Sequence, residues 1–157
     1  MKKLSLINAD ILLLCPPFSD GEEIYKQCLM QETANIVFNA WLAGESGRGY
    51  DLFKSFLSES TFSSFSHPLM GVFTGVEAFE KLHTLITERE TNPNQLTFSN
   101  IITYQKENSF CFQFDSKGKV SGAFDYDGYN IIQIEIENGK LKEFREYFGY
   151  INPLWFG

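Results

Sequence analysis

The chain has 157 residues, 43% of them hydrophobic and 21% charged, which is the balance of a folded globular protein and excludes a disordered one. Its formal charge of −7 excludes the basic footprint that nucleic acid or an anionic membrane requires, so neither is expected as a partner. No apolar run approaches the roughly 18 residues of a membrane span.

Neither an internal repeat nor a low-complexity linker interrupts the chain, and a single domain over residues 1–157 is expected. The N-terminal run carries Lys2 and Lys3 and an apolar stretch, but Asn8 and Asp10 break that stretch, and Leu14 stands where a lipoprotein signal would place a small residue before Cys15. It therefore reads as part of the folded protein. Cys15, Cys28 and Cys111 are odd in number and share no short spacing, which predicts reduced thiols and a cytoplasmic protein. Cys111, between Phe110 and Phe112, reads as a packed thiol.

Past Pro16-Pro17, Asp20 with Glu23 three residues on is an N-cap signature. The helix it opens carries Ile24, Cys28, Ala34, Val37, Phe38 and Trp41 near helical spacing. The glycine-rich loop from Gly44 to Gly49 reads as its stop. A short second helix is predicted over about 50–58, with Leu52, Phe53, Phe56 and Leu57 inward, and residues 61–74 read as extended. Thr74-Gly-Val-Glu77 is a second capping box, opening a helix with Phe79, Leu82, Leu85 and Ile86 on one stripe. Thr91-Asn-Pro-Asn94 ends it.

From Leu96 the period changes to that of strands, predicted over about 96–105, 108–115, 119–137 and 140–150. Asn138-Gly139 marks the tightest hairpin. Three helices before an antiparallel meander predict an α+β chain with helices on one face of a curved sheet.

The last strand carries the chemistry. Alternation puts Phe144, Glu146, Phe148 and Tyr150 on one face, and Leu141, Glu143, Arg145 and Tyr147 on the other. A two-residue turn sets Glu146 opposite Ile131 and Gln133 opposite Phe144. The row Ile132, Ile134, Ile136 and Leu141 then lies on the face away from Glu146. Two readings stay open: Glu146 faces solvent and the isoleucine row is core, or Glu146 faces an apolar pocket. A bulge in a curved sheet could also exchange the faces midway.

The residues Tyr126, Ile132, Ile134-Glu-Ile-Glu-Asn-Gly-Lys-Leu141, Arg145-Glu-Tyr-Phe148 and Asn152-Pro153 resemble the end of NTF2-like proteins. They are most similar to the SnoaL-like polyketide cyclases and the phenazine-biosynthesis A/B proteins. The helix start Thr74-Gly75-x-Glu77-Ala78-Phe79 suits the same family, and the resemblance covers about residues 20–153. It implies a cone-shaped barrel, with three N-terminal helices packed on a curved antiparallel sheet around one deep apolar pocket, and usually a dimer. Members of the family include isomerases, cyclases, dehydratases and epoxide hydrolases.

Residue by residue, the resemblance implies that Glu146 reaches the ligand. The family's third-helix histidine falls at Leu82, with His83 one residue on, and an arginine near the second helix corresponds to Arg48. The candidate catalytic residues are thus Glu146 and His83. The candidate ligand-binding residues are Phe144, Phe148, Trp41, Tyr129, Tyr104 and Arg48, with Tyr126 beside a strand bend.

An enclosed Glu146 would have its pKa raised and could serve as a general acid or base. His67 and His83 have no cluster of Cys or carboxylate beside them, so no metal is expected, and no cofactor. The activity these residues imply is a cofactor-free isomerisation, cyclisation or dehydration of a small, largely apolar, carbonyl-bearing ligand. The alternative is a module of the same fold that binds without catalysis. A homodimer through the isoleucine face of the sheet is expected.

Overall fold

The computed structural model describes residue 15 and residues 21–148, apart from the side chain of Phe148. The expectations attached to Asp20, Tyr150, Asn152 and Pro153, and to the segment before Cys15, lie outside the described residues.

Helix α1 (Glu22–Ala43) opens with Glu22 and Glu23 at the positive end of its dipole. Its buried residues include Ala34, Val37, Phe38 and Trp41, one stripe at helical spacing. Gly44 does not stop it: its φ of −60° and ψ of −47° are helical. One wide π-type turn, Gly44–Arg48, carries the chain on until Gly47, at φ 85°, ends it. Gly44 is glycine for a different reason, because a Cβ there would lie 2.2 Å from the ring of Tyr50.

Helix α2 (Asp51–Lys54) is shorter than predicted, and of its expected inward residues Phe53 and Phe56 are buried while Leu52 is exposed. The extended segment that follows is a hairpin of two short strands, β1 (Ser64–His67) and β2 (Gly71–Thr74). Helix α3 (Gly75–Thr91) starts where the sequence predicts, but the Thr74 side chain makes no capping hydrogen bond. It buries Ala78, Leu82, Leu85 and Ile86.

Four long strands complete the chain: β3 (Gln95–Lys106), β4 (Ser109–Val120), β5 (Phe124–Glu137) and β6 (Lys140–Phe148). β5 starts later than position 119 because Ser121 and Gly122, at φ 54° and 67°, turn the chain. The sheet order is β2-β1-β6-β5-β4-β3. Two expectations are corrected here. The sheet is mixed, since β1 runs parallel to β6. It is also open rather than closed into a cone-shaped barrel, because among the described residues β2 and β3 are its two edges and do not pair with each other.

The turn between β5 and β6 has Asn138 at φ 51° and Gly139 at φ 72°, the two positive values of a type I′ hairpin. Glu137 pairs with Lys140 and Ile136 with Leu141, but Glu135 pairs with Glu143. Lys142 is therefore an extra residue, a bulge that shifts the register by one. Beyond it Ile132 lies opposite Glu146, and Ile134 opposite Phe144. The two rows predicted for opposite faces thus merge on one inner face.

That merged face packs against the helices. Phe38 stacks on Phe112 at 4.0 Å between centroids, and Trp41 meets Phe144 at 4.7 Å and Phe53 at 4.8 Å. Ile132, Ile134, Ile136 and Leu141 are all core. The expected dimer face through Ile134 is accordingly corrected: Ile134 is fully buried within one copy. The outer face instead exposes Ile102, Ile131 and Tyr147, which lie in one cross-strand row through Gln113.

A disulfide joins Cys15 and Cys28, whose Cα atoms are 5.6 Å apart. This corrects the expectation of three reduced thiols, and the argument from cysteine count to the cytoplasm loses its premise. Cys111 is free and half-buried. No helix among the described residues is long and apolar enough to cross a membrane.

Candidate functional site

Between the helical layer and the inner face of the sheet lies a cavity of about 510 Å³. Leu42, Leu85, Leu96, Phe98 and Phe114 give it apolar walls, and Trp41 is among its lining residues. At one region those walls give way to a cluster of charge: Glu45 and Glu146 are only 4% and 3% exposed, and the Arg89 side chain is nearly as buried.

Each member arrives from a different element by an ordinary periodicity. Glu45 follows Trp41 by four residues, and the helical geometry of Gly44 carries the stripe of α1 one turn further. Arg89 follows Leu82 by seven, Leu85 by four and Ile86 by three, and so extends the buried stripe of α3. Glu146 follows Phe144 by two on β6, and His67 follows Phe65 by two on β1.

Arg89 is the centre. Its Nη1 donates to Glu45 Oε1, and its Nη2 donates to Glu146 Oε2 at 3.3 Å. Its guanidinium also lies over the Trp41 ring, 5.2 Å from the centroid. Glu45 Oε2 receives two further bonds, from Tyr50 Oη at 3.0 Å and Asn94 Nδ2 at 2.7 Å. Asn94 is fixed in turn because its Oδ1 accepts from the Ser121 N–H at 2.8 Å.

The two carboxyls are therefore unequal. Glu45 has three donors on its two oxygens and is well suited to hold charge. Glu146 has Arg89 and, at 3.8 Å, His67 Nε2. One guanidinium cannot neutralise two buried carboxylates. Burial raises the pKa of Glu146, with Arg89 opposing the rise. Burial raises that of Glu45 too; Arg89 opposes this, the negative charge of Glu146 adds to it, and the bonds from Asn94 and Tyr50 oppose it. The pair holds a proton more readily than ordinary carboxyls do, and the fewer donors on Glu146 favour that residue as the site of the proton.

His67 is neutral. Burial, reinforced by the Arg89 charge, lowers its pKa to about 4. Its Nδ1 accepts from the Leu69 N–H at 3.1 Å, so the ring proton sits on Nε2, the nitrogen nearer Glu146.

Of the residues that the sequence singled out, Glu146, Trp41 and Tyr126 line the cavity. Phe144 does not; it is buried in the core between Trp41, Phe53 and Phe65. The Phe148 side chain lies outside the described residues. Four candidates are placed elsewhere and are corrected. Tyr104 and Tyr129 are exposed, since the pleat turns them to the outer face. Arg48 is exposed at the end of the turn after α1. His83 packs on Phe79 at 4.5 Å, one position round the helix from the buried Leu82. Glu45, Arg89 and His67 were not anticipated as site residues. Among the described residues there is no cluster of metal-ligating side chains.

No family model matches the chain, and no curated protein matches its sequence. Solved structures do match its fold. An NTF2-like protein of Anabaena variabilis superposes with a TM-score of 0.63 at 21% identity, over 78% of this chain and 90% of that one. A SnoaL-like protein of Shewanella putrefaciens, assigned as a polyketide cyclase, gives 0.58 at 13% identity over 77% and 80%. An LEH-like epoxide hydrolase of M. tuberculosis gives 0.53 at 14% over 74% and 82%. The chain therefore has the NTF2-like fold, a fold whose members include polyketide cyclases, ketosteroid-isomerase-like proteins and an epoxide hydrolase.

Proposed function

We propose that the cavity takes a small, largely apolar ligand bearing a carbonyl or other oxygen function, and that Glu146 moves the proton in its isomerisation, cyclisation or dehydration. The observation that carries this reading is the pair of buried carboxyls on a single guanidinium at an apolar-walled cavity. A carboxyl whose pKa is raised by burial holds its proton more readily, and in that form it can donate a hydrogen bond, and then the proton, to a ligand oxygen. The carboxylate left behind is held by Arg89. It can then take a proton from the carbon beside the carbonyl, which restores the acid and leaves the ligand as its enol. No cofactor enters this scheme.

The test is turnover. The protein is incubated with an enone, a β-hydroxyketone and an epoxide, and products are followed by NMR. The native protein converts at least one of them, and Glu146→Gln slows that conversion about 10²- to 10⁴-fold, the usual worth of a positioned acid–base group. Gln keeps the shape and loses the proton. Binding without conversion across the set overturns the reading in favour of a module that only holds its ligand.

We also propose that two copies meet on the outer face of the sheet. The row Ile102, Ile131 and Tyr147 supports this, being 46%, 41% and 44% exposed side by side on paired strands. Sedimentation is expected to give a dimer for the native chain and a monomer for Ile131→Glu. An equal mass for both places the contact elsewhere or removes it.

A further inference from the structure

A second polar group faces the same cavity and takes no part in the charged cluster. Asn130 lies on β5, one pleat along from Ile132, the residue opposite Glu146. It is 7% exposed and lines the cavity together with Ser116 and Tyr126. Ser116 Oγ donates to Asn130 Oδ1 at 2.7 Å, and Tyr126 Oη reaches the same oxygen at 3.1 Å. The Tyr126 hydroxyl also lies 3.3 Å from the Tyr129 carbonyl oxygen, but the Ser116 bond alone assigns Oδ1 to that side and turns the amide nitrogen the other way. Asn130 lines the cavity, and its Nδ2 carries two further N–H donors that a ligand there could meet. Ser116 is itself buried, so this is a supported group and not a surface amide.

Two donors at a largely apolar wall suit an acceptor oxygen, whose hydrogen bonds are strengthened where the walls exclude water. The charge of the walls says what kind of oxygen. Among the described residues, Glu45, Glu88 and Glu146 line the cavity with Arg89 as their sole cationic companion, and Arg89 is already shared between two carboxyls. An anionic ligand group would meet no free cation among the described lining residues.

Resting on the acid–base reading above, we propose that Asn130 is the second anchor of the ligand, so that the substrates are neutral molecules with two oxygen functions: one at Glu146 and another, a carbonyl or hydroxyl, at the Asn130 amide. Diagonal neighbours on paired strands stand about 7–8 Å apart at Cα. A cyclic diketone or hydroxyketone with its oxygens at opposite ends spans such a separation.

Cyclohexanone and 1,4-cyclohexanedione are the probes, alike in ring and different in the second oxygen. Their affinities are measured by NMR titration of the native protein and of Asn130→Leu, which keeps the bulk and removes the amide. The dione is expected to bind the native protein about tenfold more tightly than the monoketone, and to lose that advantage in Asn130→Leu while the monoketone binds as before. The native protein supplies an independent readout should the variant fail to fold. The side-chain NH₂ signal of Asn130 moves when the dione is added and stays in place with the monoketone. Equal affinities for the two probes in the native protein, or an unmoved Asn130 signal, overturn the proposal and leave the acid–base reading standing. If neither ketone binds, both fall together.

Discussion

Arg89→Met is expected to cost the fold about 3–5 kcal/mol at pH 7, the penalty for leaving a buried charge without its partner. Met fills much of the stem's volume, so the loss reports charge rather than packing. The Arg89 side chain is 12% exposed, and its bonds go to two carboxyls that are buried more deeply still. Without it, the negative charge of the cluster, which the bonding favours on Glu45, is relieved only by taking up a proton. The penalty should therefore shrink as pH falls toward the ordinary carboxyl range, below which both are protonated in the folded and unfolded chain alike. Adding Glu45→Gln to Arg89→Met removes the carboxyl best suited to carry that charge and should recover a large part of the loss. Urea denaturation of the single and double variants at pH 4.5 and 7 measures this. A single variant within about 1 kcal/mol of native at pH 7 would mean that the cluster is not held by its guanidinium.

The same cluster shows how far the sequence could be read. The helices, the long strands and the Asn138-Gly139 hairpin are local patterns, and the chain follows them. Which face Glu146 occupies is not local. It turns on Lys142, where an extra residue on β6 moves Glu146 from opposite Ile131 to opposite Ile132. Nothing in the alternation of that strand announces the bulge. The apolar rows on either side of it look like two faces until the register is known.

Glu45 and Arg89 were legible in principle. Each continues a buried apolar stripe by one turn, α1 through Trp41 and α3 through Leu82 and Leu85. A charge at the end of such a stripe needs a partner of the opposite sign, and the two stripes supply one another's. Reading the glycine-rich loop as a helix stop at Gly44 hid this, since a stopped helix has no stripe to continue. Tyr104 and Tyr129 were misread for the opposite reason. Aromatic residues on strands suit a cavity lining and an outer face equally well, and only the register separates them.

The acid side of the stability profile is expected to belong to His67. A histidine whose folded pKa is depressed contributes stability that is present above its unfolded value and is lost as pH falls through the folded one. With 6.5 as the ordinary value and about 4 in the folded chain, the window runs from pH 6.5 down to 4. The loss across it comes to about 3 kcal/mol. Glu146, which faces His67 with Arg89, has a raised pKa and so acts with the opposite sign: what it contributes is present below the ordinary carboxyl value and is lost as pH rises through the folded one. The native profile mixes the two, but a comparison with His67→Asn separates them, because the carboxyl contribution is common to both proteins to first order. Asn is chosen because its side-chain oxygen can replace Nδ1 as the acceptor for the Leu69 N–H. The stability of His67→Asn relative to native should rise by about 3 kcal/mol as pH falls from 7 to 4, read as urea midpoints at half-unit intervals. A flat difference across that range would show His67 titrating as freely in the folded chain as in the unfolded one, and the burial that keeps it neutral beside Glu146 would not exist.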